Sequence, residues 1–265
     1  MTFSKFNYKK ELYELSEIIK SLDRKVIIIL ITAAILQTIS WYYTSRTFFH
    51  LTFFNNLNNY SNVYLIEFYY WYIGDFLVFF IIPYLIIKLV FKEKQVDYGL
   101  TIGDAGAGVK ITVIFVLIMI PFIWFFTSQQ SFSLTYPLLY QARDSWKIFF
   151  IYELGLIFYL AAWEFIWRGF MLFGLKEKFG YYAVIIQMLP FVILHDGKPP
   201  LETFGAIAGG LALGILAYRT RSIYYCIITH SIIMFSIDLI STLRYRAQDF
   251  GIGLNSFYNV IKQII

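Results

Sequence analysis

The chain alternates long apolar runs with short polar ones, and the length of the runs sets its class. Stretches at about 26–43, 66–91, 111–127, 148–174, 181–195, 203–218 and 222–242 carry few charges and approach the roughly 20 residues needed to cross the hydrocarbon of a bilayer. In lipid every backbone N–H and C=O must be paired within the protein, which a helix does inside one segment. The pattern therefore predicts an all-α fold, a polytopic transmembrane helical bundle of about seven spans. The fifth and sixth runs are short. Asp196-Gly197-Lys198-Pro199-Pro200 lies between them, and because prolines and glycine stop a helix, it predicts a tilted or half-buried pair meeting at a turn. Phe6, Leu12, Leu15, Ile18, Ile19 and Leu22 near one end recur at near-helical spacing, as do Leu254, Phe257, Ile261 and Ile264 near the other. Both segments predict amphipathic terminal helices lying along the membrane surface.

Composition narrows the class further. Hydrophobic residues make up 59% of the chain and charged residues only 15%, against roughly 25% charged in soluble domains, which excludes a soluble fold. The spans consume so much of the length that residues 1–265 read as a single integral membrane domain. Lys5, Lys9, Lys10, Arg24 and Lys25 belong to an excess of positive charge on the segments facing the N-terminal side. This predicts a multi-pass protein of the plasma (inner) membrane with its N-terminus in the cytoplasm, although Arg244 and Arg246 fall on the opposite side. The net charge of +5 follows from that bias. No basic stripe with interleaved aromatics is present, so no nucleic-acid partner is expected. Cys226 is the one cysteine, which leaves no disulfide within the chain and predicts a small core residue. No cleaved signal peptide is expected before the first run.

The chemistry lies in the polar exceptions. Glu164 and Arg168 interrupt one apolar run, and His195 and His230 lie in two later ones. An ionisable group at mid-bilayer costs roughly 2.5–3.5 kcal/mol on insertion scales, so three separate exceptions suggest a site. Helical residues four apart share a face: Glu164 can pair with Arg168, Phe191 lies over His195, and Trp163 points about 100° away. A rise of about 1.5 Å per residue puts Glu164 and His230 at roughly 12–17 Å from the cytoplasmic ends and His195 at roughly 20 Å, so the three can meet. Gly205 and Gly209, then Gly210 and Gly214, form two overlapping small-residue patterns that allow close helix approach. Glu67 and Asp75 lie near a boundary of the second run and lack the inverted repeat of a transporter path.

Trp163-Glu164-Phe165-Ile166-Trp167-Arg168, Phe191 to His195 and His230 to Met234 together resemble the CPBP intramembrane proteases. This is the family of CAAX prenyl endopeptidases and of bacteriocin-processing and immunity proteins, whose signature is E-E-x-x-x-R, F-x-x-x-H and H-x-x-x-N on separate transmembrane helices. The resemblance covers a core at about 148–243. Trp163 stands where the family has its first Glu, and Met234 where it has Asn. A branch reading W-E-F-x-x-R-G is similar to this chain at the first of these positions.

The resemblance implies an intramembrane endopeptidase that hydrolyses a peptide bond with an activated water, acting on a peptide or membrane-protein substrate amid membrane lipid. No Ser or Cys is paired with a base in the motifs. Glu164 would be the general base, His195 would orient the water and His230 would donate to the oxyanion, with Arg168, Phe191 and Trp163 in support. Two alternatives stay open. Glu164, His195 and His230 are also a three-ligand set for Zn2+, though without His-Glu-x-x-His spacing and with Arg168 alongside to repel a cation. The chain also reads as a catalytically inactive CPBP-like scaffold or bacteriocin immunity protein that kept the ion pair without the water-activating Glu.

Overall fold

A computed structural model describes residues 7–264. Lys5 and Phe6, used in the sequence argument, lie outside the described residues. Among those described, every regular element is helical and no strand occurs. We label the principal helices α1 (Tyr8–Ser21), α2 (Arg24–Thr52), α3 (Val63–Phe91), α4 (Ala105–Phe126), α5 (Trp146–Phe179), α6 (Tyr182–Ile193), α7 (Pro200–Thr220), α8 (Tyr224–Ala247) and α9 (Leu254–Ile261). Six of them, α2 to α5 with α7 and α8, are long and apolar enough to cross a membrane. The chain is an integral multi-pass membrane protein.

Local sequence explains where the helices begin. The Asp23 carboxylate accepts from the Lys25 and Val26 amides, Asp104 from Ala107 and Ser145 from Ile148. Each satisfies amides that the first turn leaves free. The rim is tied by Lys25, whose Nζ donates to Glu93 at 2.8 Å, while the Tyr98 hydroxyl donates to the same carboxylate. Burial would raise the Glu93 carboxyl, but these two bonds hold it below its usual range.

The fifth predicted span is the one that changes. Helix α6 has only 12 residues and rises about 18 Å, too little to cross the hydrocarbon alone. Its neighbour α7, expected to be short, is a full 21 residues. The reason is the proline pair: Pro200 occupies the first turn of α7, where a missing N–H costs nothing, so the prolines start a helix as well as stopping one.

Helix α5 is the hub. It packs against α3, α6 and α8, and its interior face carries Phe149, Tyr152, Leu156, Leu160 and Phe165, all buried. Helices α6 and α7 pack closely because a Cβ on Gly210 would meet Met188 and Phe191 at 2.9 and 3.0 Å, and one on Gly214 would meet Gln187 at 2.7 Å. Gln187 then reaches across and donates to the Gly210 carbonyl at 3.0 Å. Gly205 and Gly209 have nothing within 4 Å, so only one of the two small-residue patterns serves this contact. Cys226 is buried and its thiol donates to the Leu213 carbonyl. The terminal helices differ from the bundle: no residue of α1 is buried, and Leu12, Leu15, Ile18 and Ile19 are left uncovered by protein. A surface-lying helix presents such a face to lipid.

Candidate active site

Helices α5 and α8 and the turn that follows α6, where His195 lies instead of within a helix, bring the polar exceptions together. Glu164 ends the regular part of α5, and the chain continues from Phe165 to Phe173 in wider π-type turns. Such turns recur at functional sites because they re-aim side chains without breaking the helix. Glu164 and Arg168 are both fully buried, and the guanidinium Nη1 donates to Glu164 Oε1 at 3.2 Å. From α8, His230 Nδ1 lies 2.7 Å from the same oxygen. A carboxylate oxygen only accepts, so Nδ1 carries the proton and Nε2 faces away from the pair. Glu164 Oε2 is buried and has no hydrogen-bond partner among protein groups.

His195 joins this cluster through Phe191. Its Nδ1 donates to the Phe191 carbonyl at 2.7 Å, which leaves Nε2 as the acceptor of a neutral ring. The Phe191 ring is the shared surface of the site: the Arg168 guanidinium lies 4.1 Å from its centroid, the His195 ring 4.6 Å and the His230 ring 6.2 Å. Close packing of α6 on α7 therefore fixes Phe191, and Phe191 spaces the two imidazoles and the cation. Trp163 also packs near this ring, with centroids 6.2 Å apart, and sits between Tyr159, tilted against it, and Trp167, edge-on to it, on its own helix. Its side chain faces a cavity of about 350 Å³ that is also lined by Tyr159, Trp71 and Asp75. Met234 is half-buried and packs on the apolar core.

The donor set does not fit a metal ion. Among the described residues no group of three His, Cys, Asp or Glu side chains converges as ligands, the Glu164, His195 and His230 combination included. Glu164 Oε1 already faces a guanidinium and an imidazole N–H, both of which would oppose a cation there.

A second polar layer escapes the sequence argument. Glu153 on α5 and Asp238 on α8 are buried against one another, with the hydroxyls of Tyr72 and Tyr152 beside them. The signal was available, since each is a lone acid inside an apolar run and incurs the same insertion cost as Glu164.

Buried ionisable groups on α5 and α8, with His195 beside them just beyond α6, define a polytopic helical membrane protein with a polar interior. Residues 145–236 match the family model for Type II CAAX prenyl endopeptidase Rce1-like proteins, which supports the resemblance to the CPBP intramembrane proteases over that stretch. The matched stretch runs from the start of α5 into α8 and contains every motif residue from Trp163 to Met234. Neither the curated proteins nor the solved structures give a match to the chain.

Proposed function

We propose that the chain is an intramembrane endopeptidase of the CPBP type, in which Glu164 takes a proton from water and the resulting hydroxide attacks a peptide carbonyl. The observation that carries this reading is the divided state of the Glu164 carboxylate. Oε1 is held by Arg168 and His230, whereas Oε2 has no protein partner. A carboxylate fixed through one oxygen and open at the other is poised to accept a proton in a water-excluding interior. The free Nε2 of His195 accepts from the same water and orients it. His230, held by Glu164 through Nδ1, is the donor to the developing oxyanion, a role worth about 3 kcal/mol for one donor. The proton taken by Glu164 then passes to the leaving amine, which closes the cycle without a covalent intermediate.

Lys25, Lys176 and Arg221 lie near one another at the N-terminal-side end of the bundle, and this supports a cytoplasmic N-terminus in the plasma membrane. Trp163 in place of the family's first Glu supports a second reading, a scaffold or immunity protein that retains the ion pair without hydrolysis.

One experiment separates the two: the membrane peptide profile of cells making the natural chain is compared with that of cells making Glu164→Gln. Hydrolysis predicts that at least one precursor accumulates in the variant, with a rate loss of roughly 100-fold or more for the purified protein. His195→Ala and His230→Ala should behave alike while remaining folded. Identical profiles for the natural chain and Glu164→Gln would leave the scaffold reading standing.

A further inference from the structure

Asp75 presents a buried carboxylate that the hydrolytic site does not use. It lies on α3, is 1% exposed, and accepts from the Trp71 indole N–H at 2.8 Å and from the Thr44 hydroxyl. Both donors are neutral. Among the described residues no Lys, Arg or His makes an ion pair with it. The close approach is set by Gly74, where an added Cβ would meet Thr44 at 2.6 Å. A carboxylate kept inside an apolar span without a cation is costly, so its environment calls for a positive partner.

The surroundings specify that partner. Asp75 lines the cavity of about 350 Å³ together with Trp71, Tyr159 and Trp163. The Trp71 and Tyr159 rings are 4.7 Å apart and the Tyr159 and Trp163 rings 5.7 Å, which makes an aromatic wall of the kind that attracts cations. Two cations also line the cavity, but both are engaged elsewhere. Arg46 is bound by Glu67 at 2.8 Å, and Lys198 donates to the Tyr136 hydroxyl and lies over its ring. The charged lining is Asp75 and Asp196 against Arg46 and Lys198, and because Glu67 holds Arg46 from outside the cavity, Asp75 is left to be matched by an incoming cation. Asp75 is 12 residues into α3, roughly 18 Å along its axis. A lipid ammonium would have to leave the headgroup zone to reach it, whereas a long side chain on an inserted peptide reaches that depth readily.

The geometry points to this cavity as the pocket for a Lys or Arg side chain of the membrane peptide on which the site acts, seated on Asp75 between Trp71 and Trp163. Calling that peptide a substrate rests on the hydrolytic reading; the binding itself does not.

The test uses the full chain in phosphatidylglycerol nanodiscs and a fluorescent Leu/Ala peptide of about twenty residues bearing one Lys, compared with the same peptide carrying Nε-acetyl-lysine. The Lys peptide should bind at least about tenfold more tightly. Asp75→Asn should equalise the two affinities without weakening the acetylated peptide, and Asp75→Glu should keep the preference. Equal affinities for the natural chain, or a preference that persists in Asp75→Asn, overturn the inference. So does a Lys preference that vanishes when phosphatidylcholine replaces phosphatidylglycerol, which would hand the cavity to a lipid ammonium. If Asp75→Asn does not fold, a diazirine placed beside the Lys amine decides on the natural chain: crosslinks around Asp75 support the pocket, and crosslinks only elsewhere refute it. Lys-dependent binding without cleavage keeps this pocket and removes the hydrolytic reading; cleavage of both peptides with equal binding does the reverse.

Discussion

Helices α4 and α5 are both apolar enough to cross a bilayer, yet 11% of the most apolar stretch is buried in one and 61% in the other. Helix α4 turns Val113, Leu117, Ile118 and Phe122 outward and buries little besides Gly108, Thr112 and Ile123. Helix α5 buries Glu153, Glu164 and Arg168 with its aromatic residues. Lipid and protein interior are equally oily, so hydrophobicity cannot tell the two helices apart. What separates them is where charge is tolerated: only a helix surrounded by protein can offer an ionised side chain the partners that lipid lacks.

The comparison breaks most severely at Arg168. Arg168→Met strands Glu164 in the interior with His230 as its remaining partner, and should cost about 3–5 kcal/mol, read as a lower midpoint in denaturing-detergent titration. Next comes the contact that holds α6 beside α7. Gly214→Leu forces a side chain into Gln187 and Val184 and should cost about 1–3 kcal/mol. It should also reduce peptide processing, because Phe191 and His195 move with α6. The smallest effect belongs to α4. Leu117→Ala on its outer face should shift the same midpoint by no more than about 0.5 kcal/mol. A large Leu117→Ala effect, or a negligible Arg168→Met effect, would reverse the assignment of lipid-facing and interior helices.

Much of this was readable before any coordinates, and the physics says why. Hydropathy marks segments that must cross lipid, and six of the predicted runs are full-length helices. The four-residue spacings of Glu164 with Arg168 and of Phe191 with His195 correspond to contacts; the first follows from helical neighbourhood, whereas His195 lies in the turn just beyond α6 and reaches back to the Phe191 carbonyl. Depth counting brings His230 to the level of Glu164, and the two touch. Rotation about the helix axis is harder to read, since it depends on partners remote in sequence. For that reason Gly210 and Gly214 could not be told from Gly205 and Gly209, and neither the Glu153–Asp238 layer nor the Asp75 cavity was foreseen as such. The proline pair was misjudged because Pro both ends one helix and begins the next.

The widened stretch of α5 from Phe165 to Phe173 has a further implication. Each residue of an ordinary helix advances the azimuth by about 100°, so looser winding works as a phase adjuster between the two ends of a 34-residue rod. Upstream of it lie Glu153 and Glu164; downstream lie Lys176 and Lys178 at the aqueous edge. Losing a single amino acid there would swing one end against the other like a misassembled camshaft, carrying the acids toward lipid or the lysines away from water. Length polymorphism should thus be far less tolerated in this segment than point substitution.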